Sequence, residues 1–160
     1  MRLSLTVFGK PEPQGSTKAF IPKGWKRPII TSDNPRLKPW RQEITRAVIE
    51  EFPKQNHGIC DPIARDIPIF LRIDFYIERP ASLPKRFQHA TKRPDWDKLS
   101  RSVCDSLTGT AIADDSQIVM AVVGKHYGQP ERVEIFLATL REEFIQDSSV
   151  ARTLDLFAFQ

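Results

Sequence analysis

Two cysteines in 160 residues are too few for a disulfide framework, so Cys60 and Cys104 are expected as reduced, buried thiols of a cytoplasmic protein. No apolar run approaches the about 18 residues that a membrane span needs, and no charged-then-apolar leader opens the chain. Neither a membrane partner nor a secretory route is therefore expected. No internal repeat is visible, which argues against a solenoid or array. What the chain does have is proline, 13 residues of it, and an apolar share of 40%, ordinary for a single domain with substantial loop.

Charge is unevenly spread. Residues 1–59 hold 11 Lys/Arg against 5 Asp/Glu, residues 60–110 hold 9 against 7, and residues 111–160 hold 4 against 8. A basic first half suits a polyanionic partner, because each cation placed on a phosphate releases counterions.

Along the chain, RLSLTVFG at 2–9 alternates Leu3, Leu5 and Val7 with polar residues, the period of a half-buried strand. Residues 10–35 are too rich in Pro and Gly for a helix, apart from a hairpin arm at Pro28–Thr31. This segment interleaves Lys18, Lys23, Lys26 and Arg27 with Phe20 and Trp25, cations for phosphates and rings for bases. An Ω-like loop held down by its aromatics is the competing reading. RLKPWRQEITRAVIEEF, 36–52, spaces Trp40, Ile44, Val48 and Phe52 four apart, predicting an amphipathic helix with Asp33 or Asn34 as cap and Pro39 in its first turn. Arg36, Lys38, Arg41 and Arg46 line its other side, a solvated face on which Arg41 is a candidate DNA contact. IPIFLRIDFYIERP, 67–80, reads as a central strand, one face wet near its end. Residues 81–94 form a basic loop that includes Lys92 and Arg93. Leu99, Val103 and Leu107 then mark a short helix stopped by Gly109. Residues 117–128 and 132–140 read as a strand hairpin around Gly128-Gln129-Pro130.

The chemistry concentrates in RPDWDKLSRSVCDSLTGTAIADD, 93–115. If 95–97 is extended, Asp95 and Asp97 share one face, about 6.5–7 Å apart at the α-carbon, and both carboxylates reach one cation. A helix from 97 carries the chain about 16 Å away. The residues after it span about 23–26 Å if extended, enough to bring Asp114 or Asp115 back. Clustered carboxylates repel one another, so they need a cation or protons to sit together. Hard oxygen donors suit Mg²⁺ or Mn²⁺, and such a site activates water for in-line displacement at phosphorus. The plainer reading is a helix cap at Asp97, a solvated Asp95 and a turn at Asp114-Asp115.

The stretch PDWDKLSRSVCDSLTG…DDSQI resembles the signature of the RusA family of Holliday junction resolvases, P-D-x-D-N-L-x-K…D-A-L-x-G…D-D-x-Q-I. Pro94, Asp95, Asp97, Leu99, Asp105, Leu107, Gly109, Asp114, Asp115, Gln117 and Ile118 match in order and spacing, and GKPEPQGSTKAF resembles the family's G-x-P-x-P-x-G opening. The likeness spans roughly residues 7–127. It implies a Mg²⁺-dependent (or Mn²⁺-dependent) endodeoxyribonuclease, a homodimer acting on four-way or branched DNA in a bacterial or phage-infected cell. A two-fold protein also suits a substrate that needs two matched nicks. Asp95, Asp97 and one of Asp114 and Asp115, with Asp115 favoured, become metal ligands. The family's Asn is Lys98 here and its Lys is Arg101, one turn from Asp97, where a guanidinium can hold a phosphate bidentately but cannot transfer a proton. Asp105 is expected to pair with Arg101. If these two departures abolish cleavage, the chain is instead a junction- or fork-binding accessory protein.

The fold expected is a single α+β domain over 1–140, a mixed, largely antiparallel sheet of about four strands with two main helices, followed by a tail at 141–160. Trp96 is expected in the core, the alternative being a wedge in an opened junction. His89 and His126 are expected to be exposed or merely hydrogen-bonded. In the tail, Thr153, Leu154, Asp155, Leu156 and Phe157 resemble the bacterial sliding-clamp-binding pentapeptide Q-L-[SD]-L-F. Cover for the protein's own core or a dimer seam is the competing role.

Overall fold

The alternation at the start of the chain produces strand β1, Arg2–Phe8, with Leu3, Leu5 and Val7 buried and the residues between them exposed. The computed structural model describes residues 1–140 apart from 16, 33 and 85, and not the side chains of 17, 18, 20 and 29–32. The Asp33 cap, the Lys18 side chain and the Thr153–Phe157 motif therefore lie outside the described residues.

The Pro/Gly-rich segment folds as an antiparallel hairpin of β2, Thr17–Phe20, and β3, Ile29–Ser32, rather than as an Ω-like loop. Its connecting residues carry Lys23, Lys26 and Arg27 into solvent, along with Ile21 and Trp25. Helix α1, Leu37–Gln55, buries Leu37 and the expected stripe of Trp40, Ile44, Val48 and Phe52, with Pro39 in its first turn. Arg36 occupies the cap position, and Asn34 supports the entry, its Oδ1 accepting from the Arg36 amide at 3.1 Å. The helix continues past residue 52, through Pro53, where the sequence suggested a loop. The extra turn delivers Gln55 and Asn56 to the free edge of β1. Asn56 exchanges hydrogen bonds with both backbone groups of Arg2, and Gln55 does the same with Ser4. Side-chain amides thus satisfy an edge that would otherwise present unpaired backbone groups.

Strand β4, Ile69–Ile77, leads through helix α2, Trp96–Leu107, and a 3₁₀ turn, Asp115–Gln117, into β5, Ile118–Tyr127, and then β6, Arg132–Thr139. The four-stranded sheet has the order β1-β6-β4-β5, with β5 parallel to β4 and the other pairs antiparallel. The fold is the mixed α+β sheet with two helices that the sequence suggested. The β5–β6 hairpin is not formed, because β4 lies between them. Ile69, Leu71, Ile73, Phe75 and Ile77 are all buried, and a β5–β6 hairpin would have left this apolar strand at an edge.

Both helices cover one sheet face, where Leu99, Val103 and Leu107 of α2 join the α1 stripe in a common core. The opposite face is polar at its centre. Asp74, only 9% exposed, accepts from Arg72 Nε at 2.7 Å and contacts His126 Nε2 at 3.0 Å, while Arg132 lies over the Tyr76 ring at 3.7 Å. His126 is hydrogen-bonded, as expected. Gly124 is opposite Asp74 on β5, and a Cβ there would overlap the Asp74 carboxylate and the His126 ring. Both cysteines are free thiols, but Cys60 is exposed, because the turn after α1 leaves it outside the core.

Candidate active site

Helix α2 starts earlier than the extended reading of 95–97 assumed. Asp95 is its N-cap, with extended dihedrals, and the Leu99 amide donates to the Asp95 carbonyl at 3.1 Å to close the first turn. Burial of Leu99 draws the turn in, so Asp97 lies within the helix and not across a pleat from Asp95. Both carboxylates nevertheless sit at a helix N-terminus, where backbone dipoles favour negative charge.

The acids differ sharply in their partners. Asp95 is paired with Lys98 Nζ at 3.5 Å, each about half exposed. Asp114 caps the 3₁₀ turn: its Oδ1 accepts from the Ser116 amide at 3.1 Å, and Arg65 approaches its Oδ2 at 3.4 Å. Hydrogen bonding from Ser116 holds its carboxyl below the ordinary aspartate range, with Arg65 adding a smaller pull. Asp97 and Asp115 are exposed, and among the described residues their carboxylates make no hydrogen bond or ion pair. Arg101, one turn beyond Asp97, is likewise exposed and unpaired.

Asp115 opens the 3₁₀ turn, which packs on α2. Cys104, two turns beyond Asp97 on α2, has its thiol pushed up to about 11, first by burial and then by the charges of Asp115 and Asp105. The 3₁₀ turn is held there by Gln117, 4% exposed. Its Oε1 accepts from the Asp114 amide at 2.9 Å, and its Nε2 donates to the carbonyls of Ala64 at 2.6 Å, Ile67 at 3.1 Å and Ile63 at 3.3 Å. Asp105 does not pair with Arg101. Its Oδ2 meets Arg41 NH1 at 3.2 Å, and Arg41 NH2 donates to its carbonyl, because α1 packs directly along α2. Arg41, expected on DNA, therefore ties the two helices together, and Arg101 is left free.

Among the described residues, no three of the His, Cys, Asp and Glu side chains stand close enough together to hold an ion. The set expected from the resemblance, Asp95, Asp97 and one of Asp114 and Asp115, is therefore not gathered into a three-carboxylate site. The candidate donors are all oxygen, and among the described residues two of them, Asp97 and Asp115, have no protein partner to displace.

The surroundings are basic. Lys92 and Arg93 are exposed, without ion pairs among the described residues. Lys125, not singled out from the sequence, donates to the carbonyls of Lys92 at 2.7 Å and Pro94 at 2.8 Å, fixing the loop that enters α2. Its only sequence signal is a lysine closing the apolar run of β5. The basic hairpin is rooted at the same place. The Gln14 amide donates to the Lys98 carbonyl at 2.9 Å, and buried Glu12 holds Asn34 and Arg36 at 2.9 and 3.0 Å from the other side. Trp96, expected in the core, is 60% exposed at the first position of α2, because the helix turns Leu99 inward instead.

The family described as Endodeoxyribonuclease RusA matches residues 9–138 of the chain. The chain is also 24% identical over 139 residues to an uncharacterized protein, YqaN, of Bacillus subtilis, covering 84% of this chain and 94% of that one.

Proposed function

This chain belongs to the RusA endodeoxyribonuclease family, and from that premise we propose that it is a Mg²⁺-dependent nuclease that resolves four-way DNA junctions by paired, symmetric nicks. The observation that carries the reading is a set of exposed charges on two packed elements, the carboxylates of Asp97 on α2 and Asp115 on the 3₁₀ turn and the guanidinium of Arg101 on α2, none of them paired among the described residues. A folded protein gains little from holding charges bare at the root of a basic arm, whereas a phosphodiester substrate uses both signs.

Asp97 and Asp115 would hold the cation, with waters and substrate phosphate oxygens completing its shell. Mg²⁺ would supply Lewis acidity and an activated water. The protein's own contribution is placement. Arg101 offers two parallel N–H donors to the non-bridging oxygens of the phosphate, and its charge counters that developing in the transition state. An arginine there acts by charge and position and not as a proton donor. Lys98 partly neutralises Asp95 and so limits repulsion among the acids. Lys23, Lys26 and Arg27 of the hairpin, with Lys92 and Arg93, supply phosphate contacts that orient the arms of the DNA.

A homodimer is part of the proposal, because two matched nicks need two sites related as the junction's halves are. The Thr153–Phe157 segment is proposed as a contact for a bacterial sliding clamp. Deleting 150–160 should then abolish capture of the protein on immobilised clamp, and unchanged capture would reject that contact.

The test of the function is a labelled synthetic four-way junction incubated with Mg²⁺ and resolved on denaturing gels. Symmetric nicks in opposite strands are expected. Tight junction binding with no nick would establish the non-catalytic accessory role instead.

A further inference from the structure

Two of the three tryptophans stand in solvent, Trp25 at 62% and Trp96 at 60% exposure, while Trp40 is buried. Trp96 is the more telling, because it lies between Asp95 and Asp97. An indole left in water forgoes the burial that large aromatics ordinarily obtain. Its ring makes no aromatic or cation–π contact among the described residues.

Nor is the ring carried on a loose segment. Its own carbonyl accepts from Ser100 Oγ at 2.7 Å, Lys125 grips the two carbonyls at 92 and 94, and Gln14 binds the Lys98 carbonyl. Leu99, three residues on, is fully buried. The indole is thus presented from a braced first turn. The exposed cations Lys92 and Arg93 precede it in the chain and Arg101 follows on the same helix, all unpaired among the described residues, and they suit phosphates rather than an apolar protein surface.

We propose that Trp96 is a stacking platform for an unpaired nucleobase adjacent to the phosphate held at Arg101. This rests on reading the surrounding surface as a nucleic-acid site, and it adds a specificity determinant to that site. Bases inside a duplex already have both faces stacked, so only a base freed from its neighbours can lie on the indole. The ring would therefore favour DNA that is single-stranded or opened at a branch point over continuous duplex. Its position beside both acids would register the freed base against the cleavable bond.

The experiment measures equilibrium binding by fluorescence anisotropy in EDTA, so that its result does not depend on cleavage. A labelled single strand and the blunt duplex of the same length are titrated with wild type, Trp96→Ala and Trp96→Phe at one ionic strength. Trp96→Ala is expected to weaken single-strand binding by about fivefold or more, while duplex binding changes less than about twofold. Trp96→Phe, which keeps a ring, should restore most of the single-strand affinity. Because the side chain is exposed, the variants should melt with wild type, and a matched melting curve confirms that folding is intact. Equal losses on both DNAs, no loss on the single strand, or no rescue by phenylalanine would each overturn the proposal. So would a loss of self-association in Trp96→Ala by sedimentation, which would assign the ring to a second copy of the chain. A wild type that shows this preference yet leaves junctions uncut in Mg²⁺ would refute the nuclease reading and keep this one.

Discussion

Gln117 is the residue whose removal should most clearly separate the account of the site from a looser one. Its amide is 4% exposed and joins the 3₁₀ turn to the segment at 63–67 through one accepted and up to three donated hydrogen bonds. Only two N–H groups serve the three carbonyls, so three full bonds are at stake. At about 1 kcal/mol net for each, Gln117→Met should cost about 3 kcal/mol while keeping the volume of the side chain. Gln117→Ala should cost more, since a cavity joins the lost bonds. For a domain of this size, 3 kcal/mol corresponds to a fall of about 6–12 °C in the melting temperature. Calorimetry of the two variants beside wild type measures it, with urea unfolding as a check on the free energy. A shift under about 2 °C for Gln117→Met would refute the clasp, and with it the reason Asp115 is held against α2.

The other predictions concern separate features. Gly124→Ala should destabilise by about 1–3 kcal/mol, because the new methyl must displace the Asp74–His126 pair from the backbone it crosses; a wild-type urea midpoint would contradict this. Asp114 has a depressed carboxyl pKa, so its stabilising effect is present above its unfolded value near about pH 4 and is lost as pH falls through the lower folded value. The gap in melting temperature between wild type and Asp114→Asn should accordingly be constant at neutral pH and shrink in acid; a gap that widens in acid would reverse the assignment. In the native protein only the exposed Cys60 should react quickly with an aromatic disulfide at pH 8, because the Cys104 thiol ionises at about 11. Two equally fast thiols in the folded protein would contradict that placement.

Much of this architecture could be read from residue pattern. The period-two alternation of β1, the four-residue stripe of α1 and the apolar run of β4 each depend on one buried face, and each appeared where its pattern placed it. What failed were features decided at a distance. The pairing of β5 and β6 depended on β4 needing neighbours on both edges, which no local pattern encodes. The last turn of α1 exists because Gln55 and Asn56 meet β1, some fifty residues away. At the candidate site, Asp95, Asp97, Asp114 and Asp115 were legible from spacing and from resemblance, but their different partners were not. Asp114 is engaged as a cap and Asp115 has no partner among the described residues, a distinction made by Ser116, Arg65 and Gln117 together. Asp105 found Arg41 on a neighbouring helix because helix packing brought that cation nearer. Trp96 was expected inside because tryptophan usually is, and the register of α2 turned Leu99 inward instead.

Cleavage of a labelled four-way junction in Mg²⁺, compared across Asp97→Asn, Asp115→Asn and Asp114→Asn, tests the central claim most directly. Paired nicks by wild type and Asp114→Asn, with loss of cleavage and retained junction binding in Asp97→Asn and Asp115→Asn, is the predicted result. Nicks that persist in Asp97→Asn, or an Asp114→Asn protein as inactive as Asp115→Asn, would contradict it.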